Sequence, residues 1–345
     1  MAKINEQTFK TQIKKGEFSN VYILYGNENY LKSYYLEKLK KKLVNPAFAD
    51  FNFHEYEGSQ ADINDIIMDA QTMPMMSEYS LIIVHDYPLA KNKADMKLLK
   101  EYFKEPSDSS VLVFWYETIN IDPKDSSWKT VINAFSKAGD AVEINERTMP
   151  ELVKLVISFA KRRGCTIDNS AARYLIEAVG NDIQTLTNEL SKICEYAGEE
   201  KVINKKIIDD VAVRSLQARV FDLSKFILAG NSEKAYSSLF ALFYQREDPL
   251  SILSIISGSY VDMYRVKCAK EAGKNARDVA DYYQYNNRLF VLDNASRDGA
   301  KISIDTLRKA IDILANTDLL MKSSPVDNKI LLEEAVAKLL VLKES

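Results

Sequence analysis

Residues 26–33 read Gly26-Asn27-Glu28-Asn29-Tyr30-Leu31-Lys32-Ser33, between an apolar run and a stretch of helical periodicity. A phosphate-binding loop occupies this kind of place. It needs a glycine, four residues, a second glycine, a lysine and a hydroxyl side chain. The glycines let the backbone wrap phosphate, the lysine reaches the outer phosphates, and the hydroxyl binds magnesium. Gly26, Lys32 and Ser33 stand in register, but Leu31 replaces the second glycine. A branched side chain there obstructs close backbone approach, and Glu28 sets a like charge against a triphosphate. The acidic signal is thin too: Val84-His85-Asp86-Tyr87 offers one carboxylate where a nucleotide hydrolase places an acidic pair. These residues read either as a living nucleotide site or as ordinary helix-start and strand-end positions. The missing glycine favours the second.

Other chemistry is sparse. The two histidines, His54 and His85, sit in strand-like runs with no ligand spacing, so each reads as a half-buried strand residue. Cys165, Cys194 and Cys268 are far apart and form no CxxC pair, which excludes a zinc ribbon and fits a reducing, cytoplasmic setting. Lys161-Arg162-Arg163 reads as a solvated helix end. The segment Gln71-Thr72-Met73-Pro74-Met75-Met76-Ser77-Glu78-Tyr79 has a different character. Pro74 stops a helix, and three methionines lie in four positions on a connecting segment, which ordinarily runs over the surface. Methionine adapts to varied partners, so Met75 and Met76 read either as anchors for a partner's pocket or as side chains folded back onto the domain's own core.

Positioning these residues requires a parallel sheet. Val21–Tyr25, Phe51–Tyr56, Ser80–Val84, Val111–Tyr116 and Ala141–Ile144 have strand character, three of them apolar on both faces. They alternate with helical periods at 28–44, 61–71, 93–104 and 124–137. That pattern implies an α/β layer covered on both sides. After residue 146 strand signals stop. Helices are expected at 149–163, 168–179 and 182–197, ending a small helical domain near 213. Further helices at 217–229, 231–245, 249–272, 276–283, 286–297 and 303–322, and one from Pro325 to the end, make a third domain. The domains are thus 1–146, 147–213 and 214–345. With Lys+Arg 46 against Asp+Glu 49, the net charge of −3 argues against a stand-alone nucleic-acid binder. Apolar runs are too short to span a bilayer, and the N-terminus has no signal-peptide core.

Read in order, these stretches resemble the delta subunit of the bacterial DNA polymerase III clamp loader. Tyr22-Ile23-Leu24-Tyr25-Gly26-x-Glu28-x-Tyr30-Leu31 is similar to that family's degenerate first strand and loop. Asp65-Ile66-Ile67, Thr72-x-Pro74-Met75-Met76-Ser77-Glu78 and Leu81–Val84 resemble its clamp-contacting element, where two bulky apolar residues usually follow the proline. Gly180-Asn181-Asp182-Ile183-x-x-Leu186-x-Asn188-Glu189-Leu190-x-Lys192-Ile193 resembles its lid signature. Val220-Phe221-Asp222-Leu223, Gly230-Asn231, Asp248-Pro249-x-x-Ile252-Leu253 and Asp318-x-x-x-Lys322 resemble its third domain. An intact phosphate loop, a zinc-binding cysteine cluster and a Ser-Arg-Cys motif, which mark the hydrolysing relatives, are absent from the sequence.

The resemblance implies an AAA+-like α/β domain descended from a P-loop ATPase with its site lost, then a helical lid and a helical collar domain. It implies a chain with no catalytic site of its own, a subunit of the DNA-directed DNA polymerase III holoenzyme, a nucleotidyltransferase complex. It implies no cofactor, ATP being bound by partner subunits. The implied partners are the sliding clamp (beta), the ATPase subunits and delta-prime through the collar, and primed DNA inside the assembled loader. On this reading Met75 and Met76 fill the clamp's apolar pocket, Met73 and Pro74 shape the turn, and Gln71 adds a polar contact. The rivals are an active P-loop NTPase, which would bind nucleotide tightly with magnesium, and an independent nucleic-acid binder, whose affinity would fall steeply with salt.

Overall fold

The computed structural model describes residues 3–58, 60–198, 201–285 and 289–344. The first three residues of the expected helix 286–297 and the two chain ends lie outside these. The chain divides into two compact units, Met1–Glu146 and Arg147–Ser345.

The first unit runs β1 (Lys3–Asn5), α1 (Glu6–Lys15), β2 (Val21–Tyr25), α2 (Asn29–Leu43), α3 (Ala49–Asn52), β3 (Phe53–Glu57), α4 (Ile63–Gln71), β4 (Ser80–His85), α5 (Lys93–Tyr102), β5 (Ser110–Trp115), α6 (Ser126–Ala138) and β6 (Asp140–Glu143). Its sheet has the order β1-β6-β2-β5-β4-β3, and every adjacent pair is parallel. All five residues of β2 are buried because both faces are covered. Val21, Ile23 and Tyr25 join a core with Ile66 of α4, Leu99 of α5 and Phe135 of α6. Tyr22 faces the other way, its ring 5.2 Å from Phe9 of α1, which lies 5.5 Å from Tyr35 of α2. After β2 the chain crosses to the far edge of the sheet, returns through β4 and β5, and then adds β6 on the other side of β2. The crevice beyond the carboxyl ends of β2 and β5 is therefore the switch point, where ligands of such sheets bind.

The second unit begins with α7 (Met149–Arg162), β7 (Thr166–Ile167), α8 (Asn169–Val179), α9 (Ile183–Tyr196), β8 (Val202–Ile203) and α10 (Lys205–Val211). It continues with α11 (Leu216–Ala229), α12 (Ser232–Tyr244), α13 (Pro249–Glu271), α14 (Phe290–Asp298), α15 (Ile304–Ser323) and α16 (Asn328–Glu344). Helix starts are set by side chains that accept the otherwise unpaired amides: Asp168 from Ala171, Asp182 from Thr185 and Asp248 from Ser251. Helices α11–α16 share one apolar core, with Leu223, Leu239, Ile256, Leu314 and Leu332 at its centre.

Several elements differ from expectation. The strand expected from Phe51 starts at Phe53, because residues 49–52 close a helical turn that is capped by the bond from the Phe53 N–H to the Ala49 carbonyl. The helix expected at 276–283 is a 3-10 turn over Ala276–Asp281. The last helix starts at Asn328 rather than at Pro325. The region after 146 is not wholly helical, since β7 and β8 pair in parallel over two residues each. The opening β1 and α1 carried no recognised signal.

Candidate functional site

The degenerate loop has turned its lysine inward. Lys32 is fully buried, and its Nζ donates to the Gly26 carbonyl at 2.6 Å and to the Tyr116 carbonyl. These carbonyls follow directly on β2 and β5, so the ammonium sits in the switch-point crevice that a phosphate would enter. Burial pushes the Lys32 amine down to about 8, although Asp86, Glu117 and Glu28 pull it the other way. Leu31 is buried, Glu28 is buried, and Ser33 is exposed. The Glu28 amide donates to the Ile144 carbonyl at 3.1 Å, closing the loop onto the end of β6. Gly26 has φ +110°, and a Cβ there would lie 2.3 Å from the same carbonyl oxygen. This glycine is required by backbone contact inside the protein, with no phosphate invoked.

The acidic position is likewise spent on structure. Asp86, at φ 50°, accepts from the Glu117 amide at 2.8 Å and the Thr118 amide at 2.9 Å, and from the Thr118 hydroxyl. Burial raises its carboxyl, but the bonds from Thr118, Glu117 and Ile119 outweigh that and hold it below the ordinary value. His85 stacks on Trp115 at 4.3 Å, and its Nδ1 lies 3.0 Å from Glu57. His54 lies 2.9 Å from Asp69. Both histidines are partly buried strand residues. Among the described residues, no group of three or more His, Cys, Asp or Glu is arranged to hold a metal ion, and no helix is long and apolar enough to cross a membrane.

The methionine turn lies at the opposite end of the sheet, before β4. Helix α4 stops at Gln71, where the Thr72 amide and hydroxyl both bond the Met68 carbonyl at 3.0 and 2.8 Å. Gln71 is exposed, and Pro74 is half-buried. Met73, Met75 and Met76 are 86%, 50% and 75% exposed, so of the two readings the fold-back one is not taken. Met76 holds φ 53°, a left-handed conformation that costs a side-chain-bearing residue roughly 1–2 kcal/mol. Phe51 and Met68 are exposed as well, so five of the seven exposed large apolar side chains described in the first unit lie on residues 51–76, the others being Tyr34 and Leu98. Sequence reasoning missed Asn52. Its fully buried amide accepts from the Met75 N–H at 2.7 Å and donates to the Met75 carbonyl at 2.8 Å and to Ser77 Oγ at 3.0 Å. No sequence signal marked it, because Phe51–Tyr56 reads as a strand and the helical turn over 49–52 appears only in the fold.

In the second unit the lid-like signature is structural. Glu189 is buried, accepts the Val213 amide at 3.0 Å, and pairs with Lys192 at 2.7 Å. Asp318 and Lys322 form an i,i+4 pair at 2.7 Å. Lys161, Arg162 and Arg163 are exposed at the end of α7.

A two-sided parallel sheet whose phosphate-loop lysine is consumed internally, followed by helical bundles, defines a P-loop-type α/β protein with a degenerate nucleotide site. Residues 22–142 match the family model described as DNA polymerase III, delta subunit, and residues 217–339 match the model for the C-terminal domain of the DNA polymerase III delta subunit. The chain belongs to the DNA polymerase III delta subunit family. A DNA polymerase III subunit delta of Bacillus subtilis is 26% identical over 339 residues, 96% of each chain. The solved structure of a Bacillus subtilis DNA clamp loader delta protein superposes with a TM-score of 0.66 at 26% identity, covering 97% of this chain and 99% of that one.

Proposed function

We propose that this chain binds and opens the sliding clamp within a DNA polymerase III clamp loader, so that the ring can be placed around primed DNA. The observation that carries the reading is the exposed turn 73–76, with Met75 and Met76 presented to solvent on a backbone fixed from inside. Two adaptable apolar side chains on a projecting turn suit a pocket on a partner surface. Opening needs no bond chemistry. The chain must only bind the open ring more tightly than the closed one, and the population shifts by that difference.

On the same reading, residues 147–213 act as a lid and residues 214–345 as a collar that joins the ATPase subunits and delta-prime. ATP is bound by those neighbours and not by this chain, since Lys32 has no free ammonium to offer a phosphate. The test is calorimetric titration with the sliding clamp of the same organism, using wild type and a Met75→Ala/Met76→Ala double variant. The expected loss is about 2 kcal/mol or more. Equal binding by the two proteins would remove the site from these residues. Absence of binding by the wild type would remove the function.

A further inference from the structure

A short surface turn of this length, left to itself, samples many conformations, and a partner that must order it binds correspondingly less tightly. Here a single internal side chain addresses both polar groups of one turn residue. Asn52 meets the N–H and the C=O of Met75 and still reaches Ser77 Oγ. Its side-chain nitrogen has two hydrogens, and both are used. The opposite amide orientation would set that nitrogen against the Met75 N–H, so the arrangement fits one orientation only. Neither a carboxylate, which lacks the donors, nor an aliphatic chain of the same shape could replace it. The left-handed Met76 follows at once, held between two residues that Asn52 fixes.

We propose that Asn52 is a positioning residue for clamp recognition: it holds the turn 75–77 in its binding shape in the free chain, before any partner arrives. The proposal rests on the reading of this turn as the clamp contact. It adds that the affinity depends on a buried group that touches no partner atom. The placement follows from the sheet. Strands β3 and β4 are parallel neighbours, with Phe53 opposite Leu81, so the residues just before each strand lie at the same sheet end.

Two measurements test it. Amide hydrogen exchange on the free wild-type chain reads the Met75 N–H directly, and slowing of about a hundredfold or more against an unstructured chain is expected. The Asn52→Ala variant should then lose that protection while Ile82 and Val84 in the central strand β4 keep theirs. It should also bind the sliding clamp about tenfold more weakly or worse. Unprotected Met75 in the wild type overturns the proposal, and so does full-strength clamp binding by Asn52→Ala. If Asn52→Ala fails to fold, the wild-type exchange decides alone. If the wild type does not bind the clamp at all, the reading of the turn fails, while the Met75 exchange still reports whether Asn52 holds it.

Discussion

At the scale of single residues, two side chains have opposite fates. Lys32 keeps the identity of a phosphate ligand and has been absorbed into the fold. Burial pushes its amine down to about 8 in the fold, against 10.5 for an ordinary lysine. Between those values the unfolded chain binds the proton and the folded one does not, so the cost of burying Lys32 falls as pH rises, and stability increases with pH across that window. The neutral amine can still donate to Gly26 and Tyr116. Denaturant unfolding of wild type and Lys32→Met from pH 7 to 10.5 should show the wild type gaining on the variant by up to roughly 3 kcal/mol. A constant difference would mean the lysine is not desolvated as the geometry requires. Met76 is the reverse case, strained in the fold and free at its tip. Met76→Gly should raise stability by up to about 1 kcal/mol, because glycine accepts positive φ. If Met76 is a clamp anchor as proposed, the same change should also weaken clamp binding in the calorimeter.

At the scale of elements, the long apolar segments were legible and the short ones were not. Strands β2, β4 and β5 are buried on both faces and bounded by turns, so composition alone marked them. Lys3–Asn5 is three residues long and mostly polar, and its pairing with Ala141–Glu143 comes from tertiary context. Residues 49–52 carry an aromatic and an asparagine that read as strand, but a local turn won, and with it came the one buried amide of the turn site that pattern could not reveal. The phosphate loop was legible as degenerate; the inward turn of Lys32 was not, because it depends on the Tyr116 carbonyl far along the chain. That geometry makes a strong statement about Leu31→Gly, which restores the loop's formal pattern. The variant should gain no magnesium-dependent nucleotide binding, since Lys32 remains committed to two carbonyls. It should lose about 3–5 kcal/mol of stability from the cavity and the glycine at the helix start. A fluorescent-nucleotide titration beside a thermal melt checks both, and tight binding by the variant would show the site to be dormant rather than lost.

At the scale of the whole molecule, the two compact units carry separate cores. Leu99, Phe114 and Phe135 lie in one, and Leu223, Ile256 and Leu314 in the other. On the proposed reading, a chain organised this way assigns clamp contact to one unit and contact with the other loader subunits to the other. The first unit holds the whole six-stranded sheet, α3 with Asn52, and the 73–76 turn, all within Met1–Glu146. At 146 residues it is long enough to bury an independent core. Expressed separately, residues 1–146 should unfold cooperatively and bind the sliding clamp within about tenfold of the full chain. Residues 147–345 should melt on their own and show no clamp affinity. Clamp binding confined to the full chain would mean that recognition needs a surface from the second unit, and binding by 147–345 would move the contact away from the methionine turn altogether.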